Sequence, residues 1–436
     1  MGLLNMIRYA AFALVEGIKS DSVLRRKRLI EKCMQDDNYY DQYKQKKIKD
    51  ILEYASNNTL FYRKYKDKPL ESFPVITKND IVGNENAFES LEYKNKPVHI
   101  MSTSGSTGRR FQIKQDYGKR KQVLADIIYF ASTLGYYPGK KLIYLRNMEA
   151  KEKKSKFKQF LQNENLLFIR KLDDETLYSI YQEIANAGKD IFVLGYASTL
   201  HIISRYMEEH NLYFDNVSAV INGAEVLSGG TRSLIEKQFK CKCVSRYSNQ
   251  EMGPMAQDDE VDHFNINRAS YIVEVLCMDK DVPAEKGEMG RIVVTDLYNK
   301  ATPLIRYDTG DLGTYQETKT GKPYIYRISG RMIDIFYTTK DEPFSGFAFD
   351  DYFEYNDAID QYQVIQEDKY NITLNIILKK GRQINEQESS DAVKDIVGQD
   401  CKVKINYLDQ TPITESGKFR LVIGKYKPNP NERDKI

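Results

Sequence analysis

Ile191-Phe192-Val193-Leu194-Gly195 runs through Tyr196-Ala197 into a helical pattern over Thr199–His210. A second apolar run, Ser218–Asn222, then leads into a second helical pattern over Gly230–Lys240. Apolar runs this short suit strands buried on both faces, and the longer stretches between them have the spacing of amphipathic helices. Strand, helix, strand, helix in succession reads as parallel sheet covered by helices. The alternation extends outward from about residue 98 to 300, with Lys141–Leu145 and Gly290–Asp296 as further strands. Tyr117–Leu134 and Leu177–Ala187 are further helices.

On the N-terminal side, residues 1–90 read as helical. Leu29, Ile30, Cys33 and Met34 share one helix face, and so do Ile48, Ile51, Leu52 and Ala55. Beyond Gly330-Arg331 the character changes. Strand patterns Tyr370–Leu378 and Cys401–Tyr407 flank a helical pattern over Gln387–Val397. The expected plan is α/β: a large N-terminal domain, residues 1–330, with mostly parallel sheet, and a small C-terminal α+β domain, residues 331–436.

The 436 residues carry 65 Lys+Arg against 62 Asp+Glu, a net charge of 65 − 62 = +3, so a nucleic acid is not the expected partner. No apolar run reaches the length of a membrane span. The stretch Met6–Ile18 is broken by Arg8 and Glu16 and is followed by no signal-peptide cleavage pattern. It reads as an amphipathic helix, and the basic residues up to Arg28 allow a weak membrane-surface contact through residues 1–28. Five scattered cysteines argue for a reducing cytoplasm. Cys241 and Cys243, with Cys277 and His263, have the residue types of a zinc site but not a standard spacing. Two thiols on one face of a strand also suit core packing.

Six segments carry chemistry. Met101-Ser102-Thr103-Ser104-Gly105-Ser106-Thr107-Gly108-Arg109-Arg110 combines hydroxyls, glycines and cations, and its backbone can wrap a polyphosphate. It matches neither a Walker loop nor a nucleophile elbow. Asn222-Gly223-Ala224-Glu225 ends a strand in small residues, where open α/β sheets bind ligands and a flat ring finds room. Tyr247-Ser248-Asn249-Gln250-Glu251 offers an aromatic plate, amides and a carboxylate suited to Mg²⁺. Tyr307-Asp308-Thr309-Gly310-Asp311 sets a carboxylate after a glycine turn, where it can accept two hydroxyl hydrogen bonds. Gly330-Arg331-Met332-Ile333-Asp334 and Glu415-Ser416-Gly417-Lys418-Phe419-Arg420 complete the series.

Each segment taken singly is also a common loop type. Their shared order resembles the acyl-adenylate-forming ligase superfamily over about residues 40–425. Phe61-Tyr62, Phe73-Pro74-Val75, Gly195-Tyr196-Ala197-Ser198 and Glu251-Met252-Gly253-Pro254 are similar to the phenylacetate–CoA ligase-like group and its capsular-polysaccharide branch. Four positions depart from the pattern: Arg109 for lysine, Gln250 for threonine, Asp308 for arginine and Ile333 for a hinge aspartate.

The resemblance implies ATP with Mg²⁺, a carboxylic acid activated as acyl-AMP, and a mobile C-terminal domain. CoA is the default co-substrate, with a carrier-protein thiol or an amino sugar as other acceptors. It implies that Thr103, Ser104, Gly105, Ser106, Thr107 and Gly108 hold the phosphates. Gly223, Ala224, Glu225, Tyr247, Ser248, Asn249 and Gln250 would lie about the adenine, with Asp311 on the ribose and Arg331 at the hinge. Glu251 would hold Mg²⁺, and Lys418 would bridge α-phosphate and carboxylate. By position, Tyr129, Phe130, Gly195, Tyr196, Ala197 and Asn222 would line the acyl pocket. A nucleotidyltransferase of the same fold, and a non-catalytic adenylate-binding subunit of a polysaccharide assembly, are the alternative readings.

Overall fold

The computed structural model describes residues 3–103, 111–146, 155–168, 173–318, 321–331, 335–341, 343–353, 356–410, 412 and 420–428. Local capping chemistry sets many of the helix starts. Helix α1 (Leu3–Ile18) is followed by α2 (Val23–Gln35) and α3 (Asp37–Asn58), and the Asp36 side chain caps α3 by accepting from Tyr39 N at 2.9 Å. The short helices α4 (Lys78–Ile81) and α5 (Glu85–Phe88) complete the helical N-terminal region. A hairpin of β1 (His99–Thr103) and β2 (Phe111–Gln115) leads into α6 (Tyr117–Ser132). Asp116 caps α6 through Lys119 N at 3.0 Å, and its other oxygen accepts from Lys300 N at 2.7 Å, so one carboxylate fixes both helix and loop.

The chain then alternates: β3 (Leu142–Arg146), α7 (Lys156–Gln162), β4 (Glu164–Phe168), α8 (Asp174–Ala185), β5 (Ile191–Gly195), α9 (Ala197–Glu209), β6 (Val217–Gly223), α10 (Gly229–Phe239) and β7 (Lys242–Asn249). Strands follow without further helices as β8 (Gly253–Glu260), β9 (His263–Ile266), β10 (Tyr271–Leu276), β11 (Met289–Asp296), β12 (Tyr307–Glu317) and β13 (Pro323–Arg331). Strands β3 to β13 form one sheet in the order β10-β11-β12-β13-β9-β8-β7-β6-β5-β3-β4. Pairing is parallel from β4 through β3, β5 and β6 to β7, and antiparallel from β7 to β10.

The α/β class therefore holds, but parallel pairing covers only one part of the sheet, less than the alternation of the sequence implied. The reason is connection length. Residues 250–252 join β7 to β8, and a link this short closes a hairpin but cannot make a parallel crossover.

The two faces of the parallel part differ by strand alternation. Ile143, Val193, Val220 and Cys243 face α8, α9 and α10 and are buried with Leu200, Ile203, Ile235 and Phe239. Burying each such side chain contributes roughly 1.5–3 kcal/mol. Leu194, Ile221 and Val244 point to the opposite face, where Phe192 meets the ring of Tyr136 at 5.2 Å just beyond α6.

The small C-terminal domain has its own core of Phe336, Phe349, Phe353, Val364, Leu374, Val393 and Val397. Strands β14 (Ile335–Tyr337) and β15 (Pro343–Ser345) form a hairpin before α11 (Asp350–Phe353). Strands β16 (Ile359–Gln366), β17 (Asn371–Leu378), β18 (Lys402–Tyr407) and β19 (Val422–Gly424) pair in the order β18-β17-β16-β19, with α12 (Glu386–Val397) between β17 and β18. This domain meets the large one at α9: Asp360 pairs with Arg205 Nε at 2.8 Å and faces His201 Nε2 at 3.5 Å.

Candidate active site

Parallel strands end on one edge, and β5, β6 and β7 bring Gly195, Gly223 and Asn249 to it. At the end of β6, Ala224 takes a left-handed conformation, φ 66°, which costs a non-glycine residue and marks a constrained turn. Asn222 closes that turn, donating through Nδ2 to Glu225 O at 2.8 Å and to Ser245 Oγ at 3.1 Å. The Glu225 carboxylate accepts from Ser198 N at 2.8 Å and Ser198 Oγ at 3.1 Å. It thereby caps α9 and locks the β6 loop onto Tyr196-Ala197-Ser198. Asn222 is fully buried, and its Oδ1 has no hydrogen-bond partner among the described residues.

Tyr247 leaves β7 toward β12. Its hydroxyl donates to Asp311 Oδ2 at 2.7 Å and lies 3.1 Å from Thr309 Oγ1. Burial and the Asp311 carboxylate push the phenol pKa well above its ordinary value, so the group stays a donor. The β12 turn is held by Asp308, which accepts from Gly310 N at 2.9 Å and pairs with Arg291 Nη1 at 2.9 Å. Gly310 has φ +76°, where a glycine is favoured. Asp308 thus braces the turn that aims Asp311, a specific local role for that departure from the family pattern. Across the β12–β13 ladder, Asp311 stands opposite Arg331.

The turn after β7 is fastened from the other side. Asn249 Oδ1 accepts from Met252 N at 2.8 Å, and Gln115 Nε2 donates to Glu251 O at 2.8 Å. Gln115 ends β2, so the Ser/Thr-rich hairpin and the Tyr247–Glu251 segment are tied together. Gly253, φ +93°, follows; a Cβ there would sit 2.9 Å from Val123. Tyr271 OH donates to Met252 O at 2.6 Å and receives Lys119 Nζ at 3.0 Å. Lys119 in turn pairs with Asp296 at 2.7 Å, with both side chains fully buried.

The structure brings together Gly195, Tyr196, Ala197, Asn222, Gly223, Ala224, Glu225, Tyr247, Ser248, Asn249, Gln250, Glu251, Asp311 and the backbone of Arg331. Thr103 ends β1 opposite Phe111. Ser104, Gly105, Ser106, Thr107, Gly108 and Lys418 lie outside the described residues. Phe130 faces the sheet and is buried, whereas Tyr129 packs against the cluster of Val23, Ile30 and Cys33 from α2. Tyr129 is therefore turned away from the strand ends, because neighbouring residues of a helix point about 100° apart. Sequence reasoning gave no role to Gln115, Arg246 or Gln257. The available signal was a polar side chain at a core position of a strand or helix. Cys243 is buried beneath α10, with Cys241 partly buried beside it, while His263 packs on Tyr324 and pairs with Asp259 at 2.7 Å.

Residues 336–425 match the family model of the CapK C-terminal domain. Protein CapK of Staphylococcus aureus is 25% identical over 397 residues, which cover 86% of this chain and 84% of that protein. Phenylacetate-coenzyme A ligase of Thermus thermophilus is 25% identical over 232 residues, 46% of this chain and 52% of the relative. Among solved structures, 2-hydroxyisobutyryl-CoA ligase in its postadenylation state superposes with a TM-score of 0.68 at 17% identity, covering 87% of this chain and 88% of the other. The same ligase in its thioesterification state gives 0.57 at 18% identity, with 90% and 91% covered. The ordered segments, the fold and these relatives agree in their likeness to acyl-adenylate-forming ligases.

Proposed function

We propose that the protein activates a carboxylic acid with ATP as acyl-AMP and passes the acyl group to a thiol, CoA in the first instance. The observation that carries this reading is the convergence at one sheet edge of the β6 turn, Tyr247 and Asp311, with Arg331 opposite Asp311. These groups suit a nucleoside: an aromatic plate, small residues beside it, and a carboxylate able to take two ribose hydroxyls.

In the first step a carboxylate oxygen attacks the α-phosphorus of ATP, the bond to the β-phosphate breaks, and pyrophosphate leaves with the electron pair. In the second step a thiolate attacks the acyl carbon and AMP leaves. Both partners of the first step are anions, so alignment and neutralisation dominate its barrier. Asp311 binds the ribose and Tyr247 stacks on the base. Thr103 to Gly108 are assigned by their sequence to the β- and γ-phosphates. Glu251, on the turn beside Tyr247, supplies a carboxylate for Mg²⁺, which offsets phosphate charge when bound. Lys418 contacts α-phosphate and substrate carboxylate together. Residues 331–436 then swing about Arg331 for thioester formation. The described conformation matches the postadenylation arrangement better than the thioesterification one, which supports assigning it to the stage before the swing. Helix α1, which exposes Leu14 and Ile18, provides a peripheral contact with an anionic membrane surface.

The test is acid-dependent ATP–pyrophosphate exchange across a library of carboxylic acids. Exchange with at least one acid, reduced about 10²–10³-fold by Lys418→Ala, supports the reading. Exchange that is independent of added acid, or unaffected in the variant, contradicts it.

A further inference from the structure

Three arginines of the described residues are buried as whole residues: Arg232, Arg246 and Arg306. Two of them meet carboxylates. Arg232 pairs with Asp258, and Arg306 Nη2 lies 3.0 Å from Glu274. Arg246 has no carboxylate partner among the described residues. Its Nε and Nη2 share one neutral acceptor, Gln257 Oε1, at 3.0 and 2.8 Å, and the Phe130 ring lies 5.9 Å from its guanidinium carbon. A guanidinium carries five N–H donors, so most of its capacity is unused among the described residues. Burying an uncompensated cation is costly, and folds retain one where something else supplies the anion.

The position says where that anion would lie. Arg246 precedes Tyr247 on β7, and strand alternation sends the two side chains to opposite faces. Tyr247 goes to Asp311, and Arg246 goes to the α6 face with Phe130. Its lateral neighbour on β6 is Gly223, opposite which Arg246 stands in register. A Cβ built at Gly223 would make an ordinary van der Waals contact with Leu194 Cδ1, at 3.9 Å, so the glycine side of Arg246 is not crowded. Gln257 is itself fixed, donating to Phe130 O at 3.2 Å and Thr133 Oγ1 at 3.3 Å, and so holds the guanidinium in place.

We infer that Arg246 receives a second anionic group on the acid being activated, so that the preferred substrate is a dicarboxylate or a similarly charged-tailed acid rather than a hydrocarbon acid. This inference rests on the proposed ligase reading for the reacting carboxylate. Burial draws the Arg246 pKa down to about 10, which leaves the group cationic at neutral pH. An occupant anion would also relieve that burial cost.

Matched acids test the inference. Pyrophosphate exchange is measured with succinate against butyrate, glutarate against pentanoate, and benzene-1,4-dicarboxylate against 4-methylbenzoate. A charge-assisted hydrogen bond corresponds to roughly a 10- to 150-fold preference in kcat/KM, so at least one dicarboxylate should lead its partner by that factor. Arg246→Met should remove or reverse the preference, with AMP titration as the check of folding. Preference of the wild type for every uncharged partner overturns the inference, and so does equal loss on both members of a pair in the variant. If no acid supports exchange, the ligase reading fails separately. Calorimetric binding of the same pairs in the presence of AMP then decides the Arg246 question: tighter dicarboxylate binding sustains it, and equal or weaker binding refutes it.

Discussion

The Tyr247 hydroxyl and the Asp311 carboxylate, 64 residues apart in the chain, meet at 2.7 Å and join the aromatic segment to the β12 turn. In the proposed function this pair flanks the nucleoside, base on the ring and ribose on the acid. Asp311→Ala removes a charged acceptor, and a loss of roughly 10- to 150-fold in AMP affinity is expected by calorimetry. Tyr247→Phe keeps the ring and removes one internal hydrogen bond. It should lower stability by about 1 kcal/mol in denaturant melts and affect AMP affinity less than the Asp311 variant does. Equal AMP affinity in wild type and Asp311→Ala would remove Asp311 from the site.

The contact of Asp360 with Arg205 and His201 fastens the C-terminal domain to α9. The Arg205–Asp360 pair is largely shielded, so a double-mutant coupling of about 1 kcal/mol is expected. Asp360→Ala should speed amide exchange in β16 and at the buried face of α9 while leaving the sheet edge protected. Unaltered exchange would mean that this contact does not hold the two units together.

Asp126 gives a pH signature. It is fully buried on α6, and its Oδ1 accepts from Ser270 Oγ at 2.7 Å, Asn267 Nδ2 at 2.8 Å and Gln122 Nε2 at 3.1 Å, while Oδ2 has no hydrogen-bond partner among the described residues. Burial outweighs those donors and the nearby Lys119, and pushes the carboxyl from 3.8 up to about 6. Inside that window the folded state holds a proton that the unfolded state has lost. The burial penalty is absent below 3.8 and complete above 6, so stability falls as pH rises through the window. Asp126→Asn cannot titrate. Its stability relative to wild type should therefore rise by on the order of 3 kcal/mol between about pH 4 and 6, at 1.36 kcal/mol per pKa unit. A difference that stays flat with pH would place the Asp126 pKa at its ordinary value. Asp258, also pushed to about 6 by burial, is present in both proteins and cancels.

Much of the site was legible because strand ends are local. Ile191–Gly195 is the observed strand, and the β6 turn and the Tyr247 segment fall where an apolar run gives way to small or polar residues. What was not legible depends on partners distant in sequence. Nothing near Lys119 announces Asp296, which neutralises it in the core. Strand Tyr271–Leu276 carries no local mark of its antiparallel place at the sheet edge beside β11. Arg246 carried no role in the sequence, since one charge within Cys243-Val244-Ser245-Arg246 does not tell whether an acid waits opposite.

Helix α1 docks one face through Tyr9 on Tyr137 and Asn5 on Asn163, yet Ile7, Leu14, Val15 and Ile18 are each more than half exposed. Lys19, Arg25 and Arg28 lie exposed just beyond. Among the described residues no helix is long and apolar enough to cross a membrane. Sedimentation with phosphatidylglycerol vesicles should carry down the wild type, and Leu14→Glu with Ile18→Glu should abolish this. If the wild type ignores anionic vesicles, the exposed face has another use.

The most direct measurement is mass spectrometry of the enzyme's products after one turnover with ATP, Mg²⁺ and an acid that supports exchange. The expected result is an acyl-AMP of the mass fixed by that acid, one pyrophosphate per adenylate, and conversion to a thioester when CoA is added. Formation of ADP and phosphate, or transfer of AMP to an acceptor with no acyl-AMP at any time, would contradict the account.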